Sequence, residues 1–179
     1  RVVEIQRQAW RWSETDIAPT HIIALMEDTG NGVFGAYDKN GIMVAFAAGF
    51  GGGTDLLTGK PAIISSMLAI ADQSKRSAGI GKELKIIQAY YAYQNGYQIM
   101  KWFYDPERGE NASLNLRKLG ARAEEFAINK YGQMQSELYG PVPTDRFRAV
   151  WRFNKKHVVD RIVGRSQPLT LDDVRKIPV

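Results

Sequence analysis

Arg76-Ser77-Ala78-Gly79-Ile80-Gly81-Lys82 sets two glycines between two cations, where a strand pattern gives way to a helical one. Amides in the first turn of a helix have no intrahelical acceptor and lie at the positive end of its dipole. Such a junction can hold an anion. Gly79 and Gly81 put no side chain between those amides and a phosphate, and Arg76 and Lys82 add positive charge. Two familiar phosphate loops are excluded, because neither G-x-x-x-x-G-K-[ST] nor G-x-G-x-x-G occurs. A tight strand-to-helix turn with no ligand has the same short pattern.

A second set of residues suits an acceptor site. Asp105 precedes Pro106 where a strand should stop, so its carboxylate either ends the strand or serves a nearby amine as base or anchor. Arg146, Arg148 and Arg152 alternate with Phe147, Ala149, Trp151 and Phe153. That spacing predicts a strand with an apolar face inward and an arginine face outward, the latter shared with Val150. The arginine face is either solvated or an anchor for a carboxylate, which the guanidinium fork matches. Trp10 and Trp12 fit amphipathic packing or the wall of an acceptor pocket. Tyr90, Tyr91 and Tyr93 fit core and helix surface. His21 falls on an apolar helix as a core histidine does, and His157 follows Lys155-Lys156 as a surface residue does. Histidines so far apart make no metal site, and the absence of cysteine excludes disulfides and thiolate ligands. No Ser/His/Asp set can be argued.

The elements that must position these residues are legible in outline. Residues 2–12 and 20–27 read as helices, the second opened by Pro19. Residues 33–37 and 42–50 read as strands joined by Asp38-Lys39-Asn40-Gly41, a hairpin turn. Residues 63–71 form an apolar run suited to a buried strand. Ile80, Leu84, Ile87 and Tyr91 then fall at helical spacing, with Lys82, Lys85 and Gln88 on other faces, until Asn95-Gly96 ends the helix. A strand over 99–104, a short helix capped by Asn111 and closed by Gly120, a strand over 125–131 and the arginine strand follow. The expectation is an α/β (α+β) domain with one central sheet flanked by helices.

The run Arg76-x-x-Gly79-x-Gly81 after a strand resembles the coenzyme A signature of the GNAT acyltransferases. Asn111-Ala112-Ser113-Leu114-Asn115-Leu116-Arg117-Lys118-Leu119-Gly120-Ala121 resembles that family's later helix, which commonly ends in a "K-L-G-F" phrase. Trp102-Phe103-Tyr104-Asp105-Pro106, Tyr131-Gly132 and Pro143-Thr144-Asp145-Arg146-Phe147 with Trp151 resemble one poorly characterised subgroup. The likeness covers roughly residues 1–153. It implies a mixed, mostly antiparallel and splayed sheet. It implies acetyl-CoA or another acyl-CoA as co-substrate, with pantetheine along Leu68, Ala69, Ile70 and Ala71. Pyrophosphate would meet Arg76, Ser77, Ala78, Gly79, Ile80, Gly81 and Lys82. Asn111 and Asn115 are further coenzyme candidates, besides their capping and packing roles. Transfer would be direct attack of a small-molecule amine, with Arg146 or Arg148 anchoring a carboxylate. The chain departs from the family at Leu116, where many members carry a tyrosine that protonates the leaving thiolate. Tyr104, Tyr131 and Tyr139 are candidates for that role, Asp105 is a candidate base or anchor, and without the acid the chain could be an acyl-CoA-binding module with no turnover.

Composition sets the remaining bounds. The 179 residues are 44% hydrophobic and 24% charged with a net charge of +5, which suits one globular domain. Lysines and arginines are dispersed, which argues against nucleic acid. No apolar run is long enough for a membrane span. The expectations are a cytoplasmic monomer or homodimer with no metal, and a domain over residues 1–155 followed by an extension over 156–179. The natural chain is expected to continue beyond the given ends.

Overall fold

The computed structural model describes residues 1–71, 79–132 and 143–166, together with residues 172, 175 and 176. Helices α1 (Val2–Trp10) and α2 (Thr20–Met26) come first. The turn at 38–41 then forms as its chemistry predicts. Asp38 Oδ1 accepts the amides of Asn40 and Ile42 at 2.8 and 3.0 Å, and Gly41 adopts a left-handed φ of 77°. It joins β1 (Phe34–Tyr37) to β2 (Met43–Phe50) as an antiparallel pair.

The apolar run 63–71 is not one uniform strand. After β3 (Gly53–Thr54), β4 (Pro61–Ile63) lies parallel to β6 (Ile99–Tyr104), with Ile63 opposite Met100. At Ile64 the chain changes partners. Its amide bonds to Phe50 O at 3.0 Å, and β5 (Ser65–Ile70) continues antiparallel to β2. β5 and β6 share no ladder, so a wedge opens between them beyond Ile63 and Met100. With β7 (Arg122–Ala127) and β8 (Arg146–Trp151), the strands form a three-stranded part ordered β1-β2-β5 and a five-stranded part ordered β3-β4-β6-β8-β7. β4 and β6 are parallel and the other paired strands antiparallel, as expected for a splayed mixed sheet.

Helices cover both faces. On one, Ile5 and Ala9 of α1 and Ile23 and Met26 of α2 pack on Phe46, Ala48 and Ala69. On the other, Leu84 of α3 (Ile80–Gln94) packs on Ala45, Ala47 and Ile70. The inner stripe of α3 differs from the expected one. Lys85 and Gln88 are buried beside Gly81, Leu84, Ala89 and Ala92, whereas Ile87 is 51% exposed and Tyr91 is exposed too. Glycine and alanine let the helix lie close to the sheet, where Lys85 Nζ and Gln88 Oε1 find partners and Gln88 Nε2 finds none among the described residues. α4 (Gly109–Ala112) runs into a π-helical stretch, Ser113–Lys118, in which Leu119 N reaches back five residues to Leu114 O at 2.9 Å. α5 (Lys156–Ile162) packs Val158 and Ile162 against the cluster of Trp102, Leu119, Trp151 and Phe153. Residues 156–162 therefore belong to the core that the preceding strands build. The strand expected over 125–131 is shifted, since β7 starts at Arg122 and ends at Ala127.

Candidate active site

Two cavities, of about 550 and 510 Å³, adjoin the wedge and share Trp10, Leu68, Asn111 and Leu114. The first begins where α3 begins. Gly79 takes a left-handed φ of 89° and leaves the helix without a side-chain cap. Gly79 O accepts the amides of Lys82 and Glu83 (2.9 and 3.1 Å), while the amides before them have no acceptor within the helix. Lys82, Arg108 and Lys118 line this cavity and supply positive charge. A Cβ on Gly81 would lie 3.2 Å from Leu68 Cδ2 and 3.4 Å from Leu114 Cδ2. Gly81 thus faces the strand and lets α3 approach β5, which is a packing role.

The expected coenzyme residues divide accordingly. Leu68, Ile70, Gly79, Gly81, Lys82 and Asn111 line the first cavity. Ala69 and Ala71 pack toward α1, and Ile80 packs with Leu84. Asn115 lines the second cavity only. Arg76, Ser77 and Ala78 lie outside the described residues, as does Tyr139.

The second cavity is a chamber inside the splay. Ser66 of β5 and, on the other side of the wedge, Trp102 and Tyr104 of β6 with Asp105 just after it line this chamber. Asp105 does both things its position allows. Its Oδ1 accepts the amide of Glu107 at 2.9 Å and so ends the strand, its Oδ2 lies 3.6 Å from Arg108 Nε, and the residue lines the chamber. Tyr104 and Tyr131 also line it. Burial pushes both phenols above their ordinary value, with Arg146 opposing the shift at Tyr131. Trp10 and Trp12 stack at 4.3 Å and form part of the wall together with Asp16.

The arginine strand separates its members. Arg146 is 6% exposed, stands over the Tyr131 ring at 5.7 Å, donates to Asp145 O at 2.7 Å and lines the chamber. Arg148 does not line it. Its guanidinium pairs with Glu125 at 2.7 Å, and Arg152 pairs with Glu124. Glu125 of β7 stands opposite Arg148 in the β7–β8 register, and Glu124, at the irregularity between Ala123 and Glu125, reaches Arg152 just past the end of β8. Val150, expected on a solvated face, is buried with Ala62 and Ile99. Arg148 thus forms a cross-strand ion pair and stands outside the chamber lining.

Sequence reasoning missed Lys85. It is 1% exposed, lines the chamber and donates to Ser66 Oγ at 2.5 Å. Gln88 Oε1 lies 3.4 Å from its Nζ and the Trp102 ring centroid 4.4 Å away. Burial pulls its pKa down from 10.5 to about 7. Its helical spacing suggested an outer face, and only the small residues Gly81, Ala89 and Ala92 hinted that α3 lies close to the sheet. The π-helical stretch has a similar consequence. Counting back four from Gly120 gives Leu116, but the widened helix turns Asn115 to the chamber, where its Oδ1 accepts from Trp102 Nε1 at 3.2 Å. His21 and His157 are both exposed, so His21 is not the core histidine its helix suggested.

No family model and no curated protein matches the sequence. Solved structures do match. The NatC complex bound to Gag peptide and CoA superposes with a TM-score of 0.61 at 13% identity, covering 85% of this chain and 91% of that one. The chain has the GNAT acyltransferase fold. yncA from Salmonella typhimurium, solved with its cofactor acetyl-CoA, gives 0.59 at 14% identity over 84% and 83% of the two chains. The ribosomal-protein-S18-alanine N-acetyltransferase of Escherichia coli gives 0.57 at 14% over 83% of each. In this GNAT fold both cavities adjoin the splay between β5 and β6, and Leu68 and Leu114 stand where they meet.

Proposed function

We propose that the chain is an acyl-CoA-dependent N-acyltransferase. It would move an acetyl or dicarboxylic acyl group, such as succinyl, to the primary amine of a small molecule that carries a carboxylate, an amino acid for example. The observation that carries this reading is the meeting of two unlike cavities at Leu68 and Leu114. One begins at an uncapped helix start with Lys82, Arg108 and Lys118 around it, and suits a pyrophosphate. The other holds carboxylates and an arginine, and suits an amine with an acid.

The roles follow from the chemistry. Direct attack needs the amine and the thioester carbonyl side by side, a proton acceptor and donors for the developing oxyanion. Asp16 and Asp105 hold the ammonium end of the acceptor, and Asp105 accepts its proton. Tyr104 and Tyr131, kept protonated by burial, donate to oxygen. Arg146 takes the carboxylate in a fork. The test is calorimetric titration with CoA, then rates over a panel of amines given as acids and as their amides. CoA binding and faster acylation of the acids than of their amides support the reading. Equal rates for acid and amide sink the carboxylate part, and a chain that binds no CoA sinks the whole.

A further inference from the structure

A lysine with almost no exposure and no carboxylate beside it destabilises a fold unless its protons are used. Lys85 is such a residue. Among the described residues its partners are Ser66 Oγ, Gln88 Oε1 and the face of Trp102, and burial is the one cause of its lowered pKa. The charged or titratable groups that line the same chamber are Asp16, Tyr104, Asp105, Tyr131 and Arg146. None of them pairs with Lys85.

Its place in the wedge gives it a task. Lys85 stands one helical turn beyond Gly81, against Ser66, the residue of β5 two before Leu68. On the acyltransferase reading above, a coenzyme with its phosphates at the start of α3 and its arm along β5 passes Leu68. Its sulfur then comes beside Ser66 and Lys85. We propose that Lys85 is the acid that protonates the departing coenzyme thiolate, the role left open by Leu116.

The step balances. The amine nitrogen forms the C–N bond, the C–S bond breaks, and its electron pair leaves on sulfur. The Nζ proton of Lys85 passes to that sulfur and gives a neutral thiol. The ammonium's first proton passes through Asp105 to solvent before the attack, the surplus proton left on nitrogen after it follows the same route, and Lys85 recovers its proton from solvent. The alternatives in the chamber are weaker acids. Tyr104 and Tyr131 are pushed up by burial, and the amide of Asn115 has no acidic proton. A free thiol titrates near ~8.5, so a proton on a group at about 7 moves to the thiolate downhill.

The experiment uses two donors with the same acyl group and no nucleotide. One is an N-acetylcysteamine thioester, whose thiolate needs a proton. The other is a nitrothiophenyl thioester, whose thiolate leaves without one. General acid catalysis is worth about a hundredfold or more, so Lys85→Met should lose at least that with the cysteamine donor and stay within about threefold with the aryl donor. In the wild type alone, the cysteamine rate at saturating amine should fall as pH rises through about 7, while the aryl rate should not. This second arm needs no variant to fold. Equal losses with both donors, no loss with either, or the same pH dependence for both overturn the role of Lys85. A wild type that accelerates neither donor and also releases no amine-dependent thiol from acyl-CoA overturns the acyltransferase reading, and this inference with it.

Discussion

Replacing Lys85 by methionine should make the fold more stable at neutral pH and flatten its response to alkali. Folded, Lys85 titrates at about 7 against an ordinary 10.5. Between those values the unfolded chain holds the proton and the folded chain does not, so stability rises with pH across that window. Each pH unit is worth about 1.4 kcal/mol, so this one group contributes a rise on the order of 4 kcal/mol between pH 7 and 10.5. Methionine keeps a similar length and removes the charge. The Ser66 bond lost with the lysine is worth about 1 kcal/mol, which leaves a gain on the order of 3 kcal/mol at pH 7. Ser66 keeps its 2.8 Å bond to Gln88 Oε1. Urea unfolding of both proteins from pH 7 to 10.5 reads this directly, because every other titrating group cancels in the difference. The gap should close as pH rises. Parallel curves, or a variant less stable than the wild type at pH 7, would refute the reasoning.

Lys82→Glu puts a carboxylate at the mouth of the first cavity and should weaken CoA binding about ten- to a hundredfold by calorimetry, less so in high salt. Unchanged affinity would remove the phosphates from that helix start. Arg146→Lys keeps the charge and loses the fork, so kcat/KM should fall about ten- to a hundredfold for carboxylate acceptors and little for their amides. Asp55 is 1% exposed and pairs with Lys101 at 2.5 Å. Asp55→Ala strands that lysine and should cost about 3 kcal/mol in urea unfolding, with CoA affinity unchanged.

The fold was more legible in the sequence than the site. Local chemistry wrote the hairpin at 38–41, the helix after Gly79 and the strand of alternating arginines, because turn geometry, helical spacing and period-2 patterns act within a few residues. The partner exchange at Ile64 left no local mark, since strand residues look alike whether they pair with β2 or β6. Lys85 was hidden for a related reason. Periodicity sorts residues by type, and a lysine buried against a serine, a glutamine and a tryptophan sorts with the solvent face. Arg146 and Arg148 share one face of one strand, yet one lines the chamber and the other meets Glu125. Only the register of β7 on β8 separates them. Trp10 and Trp12 read first as amphipathic packing; both line the chamber, and Trp10 also packs on Phe46.

The most direct measurement is the release of CoA thiol from an acyl-CoA with and without a carboxylate-bearing primary amine, with the mass of the amine read in the same sample. Thiol should appear only when the amine is present, in step with an amine heavier by one acyl group. No amine-dependent thiol across acetyl and dicarboxylic donors, from a protein that binds CoA, would contradict the account and leave a coenzyme-binding module.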